Sequence, residues 1–93
     1  MKIESGLLKF SMNTEYKIDY NLFNAMEIIK IIEFFNLIEQ TKTKKVSKEL
    51  LISKYREYQN ILRSKTLEKQ YDKMLFEKSR ISIYKTMKAI MEN

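Results

Sequence analysis

Lys42, Lys44, Lys45 and Lys48 fall within seven residues of one another in the stretch "TKTKKVSK". They precede a segment with the pattern of a helix, so four positive charges would meet free backbone N–H groups and the positive end of a helix dipole. That combination holds a phosphate or another anion. Further along, Lys65, Lys69 and Lys73 repeat every fourth residue on one helical stripe, and Arg56 and Arg63 lie between the two groups. Tyr55, Tyr58 and Tyr71 are interleaved with Arg56, Arg63 and Lys73, as a surface that tracks a nucleic-acid backbone and stacks its bases requires. The same tyrosines also lie on apolar stripes, where a place in the core or at its rim is the plainer reading.

Other chemistries are poorly provided for. The 93 residues include no His and no Cys, which removes imidazole bases, thiolate nucleophiles, disulfides and the usual zinc ligands together. Gly6 stands alone, so no glycine-rich phosphate loop exists. Glu68 and Asp72 form an i, i+4 acid pair, but they sit among lysines and read as a solvated charge cluster rather than an acid–base couple. The expectation is a protein that is not an enzyme and has no catalytic residue, metal site, cofactor or small-molecule substrate.

Charge is unevenly distributed. Residues 1–40 carry four lysines against six acids, whereas residues 41–93 carry eleven lysines and three arginines against six acids. The net +6 of the chain therefore resides in its C-terminal half, which points to an anionic partner.

The elements that must position these charges can be read from periodicity. The chain is long enough for one small domain, 44% hydrophobic, free of Pro, and thus able to run in long helices. "EYKIDY" (15–20) alternates with Tyr16, Ile18 and Tyr20 on one side. With "GLLKFSM" (6–12) it predicts a short β-hairpin, or else an irregular arm over residues 1–20. Residues 21–40 form the central helix. In "NAMEIIKIIEFFNLIEQ" a polar residue falls at every third place, so the polar positions spiral and no face is wholly polar. Ser47 caps a second helix over 47–63, and Thr66 opens a third over 66–92. In that third segment Leu67, Tyr71, Met74 and Ile81 share one face, while Phe76, Ile83, Met87 and Ile90 share the opposite one. A continuous helix burying both faces against different neighbours is the favoured form. A break near "EKSR" (77–80) and a strand over "RISIY" (80–84) are the alternatives.

The fold expected is mainly α: a three-helix, bundle-like domain with an N-terminal arm or short hairpin. Two such helices and an arm cannot cover the whole of the central helix. Self-association, or a protein partner, would complete it through Ile28, Ile32 and Phe35, with Ile83, Met87 and Ile90 contributing. Two DNA-binding plans can be compared with this order of elements. The ribbon-helix-helix plan resembles residues 15–62, but it would present Glu15 and Asp19 to phosphate. A helix-turn-helix of 28–40 and 47–62 would use "TKTKKVS" as a turn that is long and lacks Gly. No secretory leader is expected, and no membrane span, because charges interrupt every apolar run.

The expectation is therefore a cytoplasmic, basic, helical regulator or accessory subunit. It would contact nucleic-acid backbone through Lys42, Lys44, Lys45, Lys48, Arg56, Arg63, Lys69 and Lys73. The alternative is a phage- or plasmid-type inhibitor or antitoxin that binds a protein through its hydrophobic helix surface.

Overall fold

The computed structural model describes residues 16–92. Among the described residues four helices stand where three were expected: α1 (Ala25–Gln40), α2 (Lys48–Leu62), α3 (Lys65–Ser79) and α4 (Ile83–Glu92). The described residues contain no strand. Residues 16–20 form an irregular arm in which Tyr16 and Ile18 are buried and Lys17, Asp19 and Tyr20 are exposed. The alternation therefore marks an arm lying on helices, with Ile18 N–H bonded back to the Tyr16 carbonyl at 3.1 Å. The rest of the expected hairpin lies outside the described residues.

Each helix start has a local cause. Asn24 and Glu27 form a reciprocal capping box at α1, with N···O distances of 2.8 and 3.0 Å. Ser47 caps α2 through the Leu50 N–H. Ser64, not Thr66, caps α3 through the Leu67 N–H, so that helix begins one residue earlier than expected. The start of α4 is held from a distance. Asp72, inside α3, accepts from Ile83 N at 2.7 Å and from Ser82 Oγ at 3.2 Å. Ser82 Oγ in turn accepts from Lys85 N.

Those contacts replace the continuous third helix with two. Arg80 adopts φ 60°, and its N–H closes onto the Phe76 carbonyl at 2.8 Å. The turn reverses the chain so that Tyr71 and Leu75 of α3, with Ile81, Ile83 and Met87 beyond the break, all reach one core. The opposed apolar phases of residues 67–92 thus mark a helical turn-back rather than two neighbours. Arg63 ends α2 in the same way, at φ 57° with its N–H on the Gln59 carbonyl.

The core is built around α1. Ile31, Ile32, Phe34, Phe35 and Ile38 are buried there, against Leu51, Tyr58 and Leu62 of α2 and the core residues of α3 and α4. Phe34 stacks on Tyr58 with centroids 4.7 Å apart. Phe35 meets Tyr58, Tyr71 and the arm's Tyr16 at 5.7, 6.0 and 5.1 Å. Ile32, Phe35, Ile83 and Met87, expected as a docking surface, therefore lie within the chain's own core, because the α3–α4 turn brings α4 in as a further cover. Ile28 and Ile90 are half-buried. What remains open is Leu22, Met26 and Ile29, each half or more exposed.

A left-handed Arg carries a backbone penalty that Gly does not. Arg63→Gly and Arg80→Gly are each expected to raise stability by about 1 kcal/mol in urea unfolding. A loss of stability in both would show that the helices do not end at these residues.

Candidate binding cleft and basic surface

The lysines and arginines singled out by spacing are exposed, but the fold sorts them differently from the sequence. Lys42 donates from Nζ to the Ser79 carbonyl at 2.9 Å, placing a cation on the negative end of α3. The α1–α2 loop with Lys42, Lys44 and Lys45 therefore sits beside Arg80. Lys48 is exposed in the first turn of α2. Arg56 and Arg63 share the outer stripe of α2 with Glu49, Ser53 and Asn60, all of them exposed. Arg63 also bonds the Asn60 carbonyl through Nε.

The longer cationic line belongs to α3. Lys65, Lys69, Lys73, Phe76 and Arg80 follow at i+4, i+4, i+3 and i+4 steps, and every one is exposed. At about 1.5 Å per residue the stripe is roughly 22 Å long, and it ends where the Lys42–Lys45 loop begins. Lys44, Lys45, Lys69, Lys73 and Arg56 have no acidic partner within ion-pair distance among the described residues.

Several acids near this surface are engaged by the fold, although Glu77 stands exposed on α3 four residues from Lys73. Glu39 gathers the Tyr16 hydroxyl at 2.7 Å, Lys78 Nζ at 3.0 Å and the Ser79 hydroxyl, so it ties the arm to the ends of α1 and α3. Partial burial alone would push the Glu39 carboxyl up. The hydrogen bonds from Ser79, Tyr16 and Lys78, with the Lys78 charge, bring it below its ordinary value instead. Glu57 bridges to Lys30 of α1 at 3.0 Å. Glu68 and Asp72, expected as a solvated cluster, are structural. Asp72 caps α4, while Glu68 accepts from Gln59 Nε2 at 3.4 Å and stands 3.7 Å from Lys65.

The same two acids line a cleft of about 550 Å³ between α2, α3 and α4, with Tyr55 and Tyr58 on one side, Ile83 and Tyr84 on the other, and Lys65 and Lys69 at its α3 wall. Tyr58 is 2% exposed, its ring held by Phe34 and Phe35, and its hydroxyl is buried with no hydrogen-bond partner. Burial, then the charges of Glu68 and Asp72, push the Tyr58 phenol far up, so it remains an O–H donor. Tyr55 is shifted the same way by burial and the same two carboxylates. Tyr71 differs, since it accepts the Asp19 N–H at 3.1 Å and is satisfied within the core.

Sequence reasoning missed Tyr84 and Phe76. Tyr84 is 60% exposed at the cleft, with Lys88 Nζ 5.9 Å from its ring centroid. Phe76 is exposed beneath the Arg80 guanidinium at 5.6 Å. Both are aromatic–cation pairs at i, i+4, a signal present in the sequence but masked by placing Phe76 on a buried face of one long helix. Among the described residues no cluster of three or more acids could hold a metal ion, and no helix is long and apolar enough to cross a membrane.

An unsatisfied buried hydroxyl costs about 1–3 kcal/mol, so Tyr58→Phe is expected to stabilise the protein by about 1 kcal/mol in chemical denaturation. Destabilisation of that size would mean that the hydroxyl has a partner in the folded chain.

Residues 13–93 match the model described as "Uncharacterised protein family (UPF0223)". A UPF0223 protein of Bacillus mycoides strain KBAB4 is 37% identical over 81 residues, covering 87% of this chain and 90% of its own. One from Bacillus cytotoxicus is 38% identical over 76 residues, covering 82% and 84%. One from Streptococcus agalactiae serotype III is 30% identical over 82 residues, covering 88% and 87%. No solved structure matches the chain significantly. With a family model spanning nearly its whole length, and relatives of similar size aligned along most of theirs, the chain belongs to the UPF0223 family.

Proposed function

We propose that this protein is a non-enzymatic accessory or regulatory factor that binds nucleic-acid backbone through its basic C-terminal half. The observation that carries the reading is the α3 stripe of Lys65, Lys69, Lys73 and Arg80, continued by the Lys42–Lys45 loop. These cations are exposed, while Glu39, Glu57, Glu68 and Asp72 are held by contacts within the fold. A row of cations about 22 Å long is on the scale of several consecutive phosphates, each of which would release a counterion on contact. Arg56 and Arg63 on α2 offer a second, shorter row, and Lys48 lies at the loop end of the first.

A second reading, a homodimer or a complex with a protein partner of the inhibitor or antitoxin type, is favoured by one observation. Leu22, Met26 and Ile29 are 58, 61 and 50% exposed along the start of α1. An open apolar strip of this kind is suited to association.

Anisotropy of a labelled oligonucleotide between 50 and 200 mM salt tests the first reading, with solution mass measured on the same samples. Affinity is expected to fall steeply with salt. Lys69→Ala with Lys73→Ala should make the log–log slope shallower by roughly 1.5 to 2. No binding at 50 mM salt, or binding indifferent to salt, would overturn it. In that case a dimer lost on Ile29→Glu would favour the second reading.

A further inference from the structure

Resting on the nucleic-acid reading, we propose that the protein takes a single strand, with one unstacked base entering the cleft between Tyr58 and Tyr84 and the neighbouring phosphates lying on Lys65, Lys69 and Lys73. The cleft and the cationic stripe share Lys65 and Lys69, so a backbone following α3 passes the cleft mouth. A duplex keeps its bases paired and stacked, and a helix stripe alone would read only its phosphates. A cleft of about 550 Å³ with aromatic walls has room for a flat heterocycle.

The polar groups inside fit a nucleobase edge. The Tyr58 hydroxyl is buried and without a partner, and its ring is fixed by Phe34 and Phe35 so that the hydroxyl cannot swing out to water. It needs an acceptor such as a ring nitrogen or carbonyl oxygen of a base. Glu68 is held only loosely, by Gln59 at 3.4 Å and Lys65 at 3.7 Å, and can accept from an exocyclic amine or ring N–H. A donor beside an acceptor is the pattern that base edges present in complement. Asp72 takes no part, because its oxygens already hold Ser82, Ile83 and Tyr84. At the mouth, Tyr84 is 60% exposed and flanked by Lys88, a stacking platform with a cation at its edge. Phe76 under Arg80 repeats that arrangement further along the stripe, where the next bases would lie.

The full-length protein is titrated with three probes at one salt concentration: a mixed-sequence 12-mer single strand, a strand of equal length built of abasic sites, and the blunt duplex. The single strand is expected to bind at least tenfold more tightly than the abasic strand. Tyr84→Ala should remove most of that advantage, roughly a tenfold loss per stacked base. Tyr58→Phe should weaken the single strand several-fold and leave the abasic strand unchanged. Tyr84 is exposed and Tyr58→Phe keeps its ring, so neither variant should unfold the chain, which thermal melting checks. Equal affinity for single and abasic strands, both weakened by Lys69→Ala with Lys73→Ala, would overturn the cleft and leave the backbone reading standing. So would tighter binding of the duplex. Failure of all three probes to bind would remove both.

Discussion

The structure depends on a junction of rings. Tyr58 of α2 lies on Phe34 and edge-on to Phe35, two neighbours on α1, and Phe35 also touches Tyr71 of α3 and Tyr16 of the arm. Four segments thus meet at one point of α1. Aromatic pairs of this kind contribute about 0.5–1.5 kcal/mol each beyond their buried area. In a chain this short, with no disulfide and no structural metal cluster among the described residues, that surplus matters. The junction also fixes what is left over, because clamping the ring of Tyr58, a residue of the cleft wall, leaves its hydroxyl buried without a partner. A residue that anchors the core therefore presents one polar atom that the core does not satisfy. Such an atom is costly to keep, and a ligand that pairs it would recover the cost.

Charge is partitioned by the same logic. The acids act as internal fasteners: Glu39 joins the arm to the ends of α1 and α3, Glu57 joins α2 to α1, and Asp72 pins α4 to α3. Lys44, Lys45, Lys69 and Lys73 have no such role and remain in solvent, whereas Lys30, Lys54, Lys65 and Lys78 pair with acids and Lys42 lies at the end of α3. The imbalance visible in composition becomes, in three dimensions, a surface where Glu39, Glu57 and Asp72 are tied into the fold while Lys69, Lys73 and Arg56 stand exposed, with Glu49 and Glu77 exposed near them. That is a stronger statement than net charge, since it says which cations face outward and along which helix, Lys69 and Lys73 unpaired and Lys65 beside Glu68.

The mainly helical class could be read from composition and periodicity, and so could the buried character of the central helix, whose polar residues spiral instead of lining a face. The alternation of Tyr16, Ile18 and Tyr20 signalled burial for the first two, while Tyr20 is exposed, and it did not reveal their conformation. An arm laid across helices can bury two alternate side chains as a strand does. The break at residue 80 matches the alternative near 77–80 and not the favoured continuous helix, because its left-handed turn uses Arg rather than Gly and its fastener, Asp72, lies ten residues upstream of Ser82. Favouring the continuous helix had a consequence for the site. It assigned Ile83 and Met87 to an outer surface, and it hid Phe76 and Tyr84 as exposed rings. The lysines were legible as exposed groups from their spacing alone. The stranded Tyr58 hydroxyl was not, since no local pattern reveals that a core tyrosine lacks a partner.

If the Tyr58 hydroxyl takes an acceptor from a bound base, labelling the tyrosines with ¹³C at the Cζ position will show it as single-stranded oligonucleotide is added. A new hydrogen bond moves the Cζ resonance of the ring that forms it. The Tyr58 and Tyr84 resonances should shift in step with saturation, while that of Tyr71, already bonded to the Asp19 amide, stays in place. A Tyr58 resonance that does not move when the protein is fully bound would contradict the account.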